Sequence, residues 1–571
     1  MLSERYAIGL DFGTLSGRAL LCRLSDGAEI ACAVYEYPHG VMDDTFAPCP
    51  GVSQKLPGDY ALQHPDDYIE VLCRTIPRLL ADTGVDPAAI VGLGIDFTAC
   101  SPLPVYKNGV PLCRNAAFAA EPHAYVKLWK HHAAQPYANR INALARERGE
   151  KWLDVYGGKI SSEWLLPKTM ELYTEAPAVY DAADYFVEAG DWIVWQLTGN
   201  QTRNSCMTGY KGLYTDDGYP SPAFLSALEP GLQNVAAEKW GAHIPVQPIG
   251  SRAGYLTPEW AAKTGLTTDC AVSVAVIDGH AAVPAAGVHQ SGQLLAIMGT
   301  STCHMLMESF GHPVPGASGF VRDGMMPGLY GFEAGQCCVG DHFAWVAEHF
   351  TPESYKKEAA ARNLSVIALL SEKAERLYPG ESGLLALDWW NGNRSVLVDA
   401  DLSGLLIGMT LTTRAEEVYR ALVEATAFGT RKIVENFREN GVPVEEFIAT
   451  GGIAEKSPFV MQLYADVLGM DIRIAGGSSA LGAAIFGATA AGERGYATVN
   501  EASAAMGRLT DVVYPHDPVK TKVYNALYAE YLLLHDYFGR GENNVMKRLR
   551  AIRERQSTGT GREIESIFTK E

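Results

Sequence analysis

Two stretches with the same plan lie about half a chain apart, and they constrain the fold more than any other feature. Residues 8–21 and 294–306 each read as an apolar strand, a short turn that begins with Gly-Thr, and a second apolar strand. The pairs Gly13-Thr14 and Gly299-Thr300 are 286 residues apart in a chain of 571. This repeat predicts two related α/β domains, each of which opens with a β-hairpin.

Each of the two turns is a candidate anion site. Successive backbone N–H groups in such a turn form a nest that suits phosphate, and Gly13 and Gly17 permit positive φ there. Hydroxyl groups stand beside these amides at Thr14, Ser16, Thr300 and Ser301. Two turns that face each other across a cleft would hold a polyphosphate from both sides. Either stretch taken alone is equally an ordinary hairpin between core strands.

A mid-chain aspartate follows a predicted buried strand. Residues 271–277 are a mostly β-branched apolar run that stops at Asp278-Gly279, and a small-residue, helix-like segment comes next. Open α/β sheets bind ligands at the carboxyl ends of their strands, and a helix N-terminus favours an ionised acid. Asp278 is therefore a candidate proton acceptor for a substrate hydroxyl. The alternative is that it only caps its helix.

Two other strand ends are candidate binding edges. Residues 90–95 form a predicted strand that runs into the polar segment 96–101, and residues 447–450 form one that ends at Gly451-Gly452. A bare Gly-Gly pair lets a flat ligand approach the backbone closely. The P-loop motif G-x-x-x-x-G-K-[ST] is absent, and no G-x-G-x-x-G lies between a strand and a helix with a following acid. These absences disfavour a P-loop kinase and a glycine-loop dehydrogenase.

Four polar residues in the predicted loops need an interpretation. Lys211 lies between glycines and can reach a ligand oxygen, or it is a surface lysine. Glu333 lies among glycines and aromatic residues, a setting that suits sugar hydroxyls, or it is an exposed loop residue. The adjacent His131 and His132 lack further ligands at metal spacing, so we expect a solvated helix face.

Composition and charge narrow the classes of partner. The net charge of −19 argues against nucleic acid and against anionic membranes. No apolar stretch has the length of a transmembrane helix, and no secretory signal precedes the first strand. The 11 cysteines are scattered, which fits reduced thiols. We therefore expect a cytoplasmic protein that acts on small molecules, with a homodimer left open.

Four motifs in this order resemble the FGGY family of carbohydrate kinases. They are LDFGTLSGR, VIDGHAAV, AIMGTSTCHM and ATGGIAEKSPFVMQLYADVLG, and the resemblance covers roughly residues 5 to 545. It implies an α/β, two-domain actin/hexokinase/Hsp70-like (ribonuclease H-like) fold with an interdomain catalytic cleft. The implied boundaries are an FGGY N-terminal domain at 1–288, an FGGY C-terminal domain at 289–545 and a basic tail at 546–571.

Further segments resemble family members that act on L-ribulose. They are DFTACS, LWKHHAA, GGKISSEW, GYKG, YGFEAGQ and ALDWWNGNRS. The resemblance implies ATP-dependent phosphorylation of L-ribulose at its terminal hydroxyl with Mg²⁺, giving L-ribulose 5-phosphate in L-arabinose breakdown. Two rivals stay open: another FGGY kinase that acts on D-ribulose, D-xylulose or ribitol, and a non-catalytic actin-like nucleotide-binding module.

The resemblance also implies roles for individual residues. Asp278 resembles the general base, and Asp11 the acid that organises Mg²⁺ through water. The implied phosphate and adenosine contacts are Gly13, Thr14, Ser16, Gly299, Thr300, Ser301, Gly451 and Gly452. The implied ketopentose contacts are Ala99 through its backbone, Trp129, Lys211, Asp278 and Glu333. One departure from the family is a shortened loop at 476–479, which affects the adenosine contacts.

Overall fold

The computed structural model describes residues 4–557, and its main feature is a pair of seven-stranded sheets. The first sheet contains β1 Tyr6–Phe12, β2 Ser16–Arg23, β3 Glu29–Glu36, β4 Ile90–Phe97, β5 Arg252–Tyr255, β6 Ala271–Ser273 and β7 Val276–Ile277. The second contains β8 Gln293–Met298, β9 Thr302–Glu308, β10 Gly319–Arg322, β11 Tyr330–Gln336, β12 Glu446–Thr450, β13 Ile472–Ala475 and β14 Leu509–Tyr514.

The two sheets share one strand order. The first runs β5-β6-β4-β1-β2-β3, with β7 also paired to β4, and the second runs β14-β13-β12-β8-β9-β11-β10. In both sheets, the first strand of an antiparallel hairpin (β1 or β8) pairs in parallel with a second strand (β4 or β12), which pairs in parallel with a third (β6 or β13). An antiparallel strand (β5 or β14) then pairs with the third. The prediction of two related α/β halves, each opened by a hairpin, is confirmed.

Helices cover the sheets, and β4, the central strand of the first sheet, is buried along its whole length. The principal helices are α1 Pro65–Thr83, α2 Gln135–Arg148, α3 Leu165–Glu175, α4 Pro177–Ala182, α5 Ala189–Thr198, α6 Ser205–Tyr210, α7 Pro222–Leu228, α8 Pro258–Thr264, α9 Asp278–Ala285, α10 Gly340–Trp345, α11 Glu353–Ala361, α12 Val366–Glu375, α13 Ala415–Glu439, α14 Gly452–Lys456, α15 Pro458–Leu468, α16 Ser479–Ala490, α17 Val499–Met506, α18 Pro518–Gly539 and α19 Val545–Ser557. No helix within residues 4–557 combines the length and the apolar content that a membrane span requires.

Helix α16 follows β13 of the second sheet but packs on the first sheet. Glycines on β1 and β4 permit this close approach, since a Cβ at Gly94 would lie 1.6 Å from the carbonyl oxygen of Ala483, and a Cβ at Gly9 1.7 Å from that of Ala480. Leu481 and its neighbours on α16 belong to the core of the first sheet. The division at 288/289 stays a prediction, and this helix packs across it.

One predicted strand differs from the structure. The run 271–277 is two short strands, β6 and β7, because the chain leaves the sheet at Val274, whose N–H donates to Ser251 O (3.0 Å). Within the predicted basic tail, residues 546–557 belong to α19, and residues 558–571 lie outside the described part of the chain.

Candidate functional site

Three carboxylates lie at one edge of the first sheet. Asp11 on β1 is paired in register with Asp96 on β4, and Val276 on β7 is also paired with Asp96. Asp278 comes directly after β7 and begins α9. Because these three strands are parallel, their carboxyl ends meet at the same edge. The structure thus brings the predicted Asp11 and Asp278 together, and it adds Asp96, the first residue of the predicted binding edge 96–101.

The environment of Asp278 favours its protonated form. Burial raises the pKa of Asp278 to about 7, and the negative charges of Asp11 and Glu333 add to this effect. The N–H of Gly279, which donates to its Oδ1 at 2.6 Å, and the charge of Lys211 act in the opposite direction. Asp278 can therefore take up a proton near neutral pH, as a general base requires.

Asp96 is the most deeply buried of the three acids. Burial raises its pKa well above the usual range, and the charges of Asp11 and Asp278 raise it further. Among the described residues, no group donates a hydrogen bond to either of its carboxylate oxygens. Arg18 is the cation at this edge, with its Nε 3.1 Å from Asp11 Oδ2. Mg²⁺ prefers oxygen ligands, and these carboxylate oxygens, with little positive charge beside them, match that preference.

The first turn, between β1 and β2, is held by hydrogen bonds on both sides. Gly13 N–H donates to Ser16 O (3.0 Å), and Gln63 Nε2 donates to Thr14 O (2.7 Å). The indole Nε1 of Trp129 donates to Thr14 Oγ1 (3.2 Å). The predicted sugar contact Trp129 therefore lies beside the predicted phosphate turn.

Gly13 and Gly17 permit positive φ, but neither adopts it in the structure. Gly17 is needed for packing instead, because a Cβ there would lie 2.6 Å from the side chain of Val71 on α1. Positive φ occurs at Gly451, where φ is +95°. The next residue, Gly452, faces open space, since a Cβ there would meet no heavy atom within 4 Å. A flat ligand can therefore reach the backbone at this pair.

The second turn, between β8 and β9, sits on the start of α10. Gly299 N–H donates to Ser301 O (2.9 Å), and Gly299 O accepts from Gly340 N–H (3.0 Å). Gly299 and Thr300 are exposed, so their amides and hydroxyl are open to a ligand. Helix α9, which begins at Asp278, packs against both β8 and β9. The candidate base therefore lies next to both halves of the molecule.

Charged side chains of alternating sign surround Glu333. Lys211 Nζ lies 3.4 Å from Glu163 Oε2, and Arg394 Nη2 lies 2.6 Å from Glu333 Oε1. His280 Nε2 is 3.3 Å from Glu333 Oε2. Burial raises the pKa of Glu333, but the His280 hydrogen bond and the charges of Arg394 and Lys211 outweigh it and hold this pKa well below its usual range.

These contacts exclude the surface alternatives for Lys211 and Glu333. Each is only 5% exposed, so neither is a surface residue, and Glu333 lies in β11 rather than in a loop. The charge of each acts on Asp278. Glu163 and Arg394 were not predicted, although both lie in the quoted segments GGKISSEW and ALDWWNGNRS. What identifies Glu163 and Arg394 as part of the site is their ion pairs with Lys211 and Glu333, and these pairs are visible only in the folded structure.

Ala99 lies just beyond the strand that carries Asp96. It follows β4 by two positions and packs against the core of the first sheet. Its chain neighbour Cys100 is fully buried. All five predicted ketopentose contacts thus belong to elements that end at, or pack beside, the edge that carries Asp278.

The interpretation of His131 and His132 as a solvated helix face is wrong for His131, while His132 is exposed but lies outside a helix. Both precede α2, and His131 is fully buried with Nε2 2.8 Å from Glu171 Oε1. Lys127 Nζ lies 3.0 Å from Glu171 Oε2 and 2.9 Å from His123 Nδ1. An ammonium group thus binds both Glu171 and His123 in this buried cluster.

Comparisons with known proteins agree with this geometry. Residues 294–491 match the FGGY family of carbohydrate kinases, C-terminal domain. Ribulokinase from Bacillus licheniformis is 56% identical over 548 residues, which are 95% of this chain and 98% of that one. Ribulokinase from Geobacillus thermodenitrificans is 51% identical over 97% of this chain and 98% of that one. The chain belongs to the FGGY family of carbohydrate kinases.

Solved structures of FGGY-type sugar kinases have the same fold. Xylulose kinase from Rhodospirillum rubrum superposes with a TM-score of 0.75 at 23% identity, over 93% of this chain and 98% of that one. Ligand-bound xylulose kinase from Lactobacillus acidophilus gives 0.76 at 18% identity, over 94% and 99%. At such identities the likeness shows the fold alone. This FGGY kinase therefore has the predicted actin/hexokinase-like architecture.

Proposed function

We propose that this FGGY kinase transfers the γ-phosphoryl group of ATP to the terminal hydroxyl of L-ribulose, giving ADP and L-ribulose 5-phosphate. The observation that carries the proposal is the grouping of Asp278 with Lys211 and Glu333, all within range of one another's charges. The near full-length identity to named ribulokinases supports the choice of substrate.

Asp278 is the proposed general base. As the terminal hydroxyl oxygen bonds to the γ-phosphorus, the bond from that phosphorus to the β,γ-bridging oxygen breaks and ADP leaves. The hydroxyl proton passes to an Asp278 carboxylate oxygen. A pKa of about 7 supports this role because the group is partly ionised at neutral pH and can still hold the proton.

The two turns are the proposed phosphate sites. Backbone N–H groups and hydroxyls at 13–16 and 299–301 would stabilise the charge that spreads over the transferring group. For adenosine we propose the open backbone at Gly451 and Gly452. The shortened loop 476–479 follows β13, which pairs in parallel with β12, the strand that leads to Gly451.

Asp11, with Asp96 beside it, is the proposed holder of Mg²⁺, in keeping with their oxygen-only donor set. When bound, Mg²⁺ would neutralise charge on the ATP phosphates. For the ketopentose we propose contacts from Ala99 through its backbone, and from Trp129, Lys211 and Glu333. Lys211 and Glu333 are pre-oriented by their ion pairs with Glu163 and Arg394, so they lose little freedom when the sugar binds.

A coupled ADP-release assay tests the substrate assignment. Purified enzyme is given ATP with L-ribulose, D-ribulose, D-xylulose, ribitol or glycerol, with and without Mg²⁺. We expect the highest kcat/KM with L-ribulose and no turnover without Mg²⁺. A preference for xylulose or glycerol would move the chain to another FGGY activity. ATP binding without ADP release on any sugar would favour a nucleotide-binding module.

We also propose a cytoplasmic location and leave a homodimer as a prediction. All 11 cysteines are free thiols, as expected in a reducing compartment. Light scattering on the purified protein would give the oligomeric state.

A further inference from the structure

A buried lysine outside the predicted site binds the main chain of two substrate-facing segments. Lys168, on α3, is fully buried. Its Nζ donates to Cys100 O (2.6 Å), Leu128 O (2.9 Å) and Lys127 O (3.3 Å). An ammonium group has three N–H donors, and here all three go to backbone carbonyls. One carbonyl follows β4, and the other two come just before Trp129.

A buried glutamate binds the same peptide unit from its other side. Ser101 N–H donates to Glu188 Oε2 at 2.8 Å. The carbonyl of Cys100 and the N–H of Ser101 belong to one peptide group, so a cation and an anion fix its two ends. Burial lowers the pKa of Lys168 and raises that of Glu188, and the charge of each opposes the shift of the other.

The bound segments carry two of the proposed sugar contacts. Ala99 comes immediately before the fixed peptide unit, and Trp129 comes immediately after the Leu128 carbonyl. Trp129 in turn donates to Thr14 in the first phosphate turn. Helix α3 therefore sets the distance between the backbone at Ala99 and the indole of Trp129.

We propose that Lys168 and Glu188 are positioning residues that hold Ala99 and Trp129 in the geometry that binds the sugar. This inference rests on the proposed function, because it takes these two segments to be the ketopentose site. Folding stability alone does not explain why Lys168 and Glu188 are charged. Replacing a buried pair of charges by apolar residues of similar volume often leaves the stability of the fold unchanged or raises it. What an apolar pair cannot do is fix both ends of one peptide unit.

Lys127 provides a matched control. It is also fully buried and lies on the segment that leads to Trp129, but its Nζ contacts side chains, those of Glu171, His123 and the Tyr60 ring, and no backbone carbonyl within residues 4–557. Lys127→Met removes a buried ammonium from the same region without releasing the peptide unit at Cys100. Its loss of stability should resemble that of Lys168→Met, and its effect on sugar binding should not.

The experiment compares Lys168→Met, Lys127→Met and the double variant Lys168→Met/Glu188→Met with wild type. KM for sugar, KM for ATP, kcat and the urea midpoint are measured for each. We expect Lys168→Met to raise the sugar KM about ten-fold or more while the ATP KM changes less than about two-fold, because a misplaced contact costs binding locally. Lys127→Met should keep the wild-type sugar KM.

The double variant separates positioning from stability. It removes both charges together, so its urea midpoint should recover relative to Lys168→Met, while its sugar KM stays high. The proposal is overturned if the sugar KM recovers along with stability, if the ATP KM rises in parallel, or if Lys127→Met has the same effect as Lys168→Met. Failure of the double variant to fold would also contradict it.

The assay uses the best sugar that the wild-type enzyme phosphorylates. If that sugar is not L-ribulose, the substrate proposal fails, and the comparison among the variants still decides the positioning role. If L-ribulose is the substrate and the variants bind it normally, only the positioning role fails.

Discussion

Asp278→Asn should make the enzyme more stable and far less active. Asparagine keeps the size of the side chain, and its Oδ1 can still accept the hydrogen bond from Gly279. It removes a carboxylate whose pKa is raised from 3.8 to about 7 by burial and by its acidic neighbours. A shift of about three units at about 1.4 kcal/mol each disfavours the ionised form by roughly 4 kcal/mol.

Asp278 is partly exposed to solvent, which reduces the free-energy penalty on its ionised form. Solvent screening lowers the expected gain to about 2 kcal/mol at pH 8. The sign follows from proton binding: between about pH 4 and 7 the folded wild-type protein holds a proton that the unfolded chain has released, so its stability falls as pH rises. The advantage of the variant is therefore largest above pH 7 and shrinks at pH 5.

Urea unfolding at pH 8 and pH 5, together with kcat in the coupled assay, measures both effects. We expect the higher midpoint at pH 8 and a fall in kcat of about 10²-fold or more, because the proton acceptor is gone. ATP affinity, measured by calorimetry, should be nearly unchanged. An equal or lower midpoint at pH 8 would refute the electrostatic argument, and undiminished turnover would refute the assignment of the base.

Three other predictions concern pH, metal and packing. The kcat/KM for sugar should rise with pH through an apparent pKa near 7 as Asp278 ionises, and a flat profile from about pH 5.5 to 8 would contradict this. Asp11→Asn should raise the Mg²⁺ concentration for half-maximal rate about ten-fold at an unchanged sugar KM; a magnesium titration that matches wild type would count against the metal role. Gly94→Ala should cost at least about 3 kcal/mol, seen as a lower urea midpoint, because its Cβ would lie 1.6 Å from Ala483 O. Gly58→Ala, at an open position, is the neutral control.

The elements that carry the site could be predicted because their signals are local. A β-branched run followed by Asp278 and small residues specifies a strand end and a helix start within about ten residues. The Gly-Thr turns of the two hairpins are equally local. The rule that strand ends collect ligands then pointed to Asp278, whereas the role of Asp11 came from the resemblance to the FGGY family.

The partners of these residues could not be predicted, because they are distant in the chain. Arg394 binds Glu333 across 61 positions, and Lys168 binds Cys100 across 68. His131 looked solvated because its partner Glu171 is 40 residues away. Gly17 was read as a turn glycine because Val71, the residue that it packs against, is on another element. Residue spacing gives no information about such pairs.

The central claim is that Asp278 meets the terminal hydroxyl of a ketopentose between two phosphate turns. A crystal structure with L-ribulose and a non-hydrolysable ATP analogue tests it most directly. We predict an Asp278 carboxylate oxygen about 3 Å from the terminal hydroxyl, with the γ-phosphate between Gly13-Thr14 and Gly299-Thr300. A terminal hydroxyl beyond the reach of Asp278 and of one bridging water, or a triphosphate bound away from both turns, would contradict it.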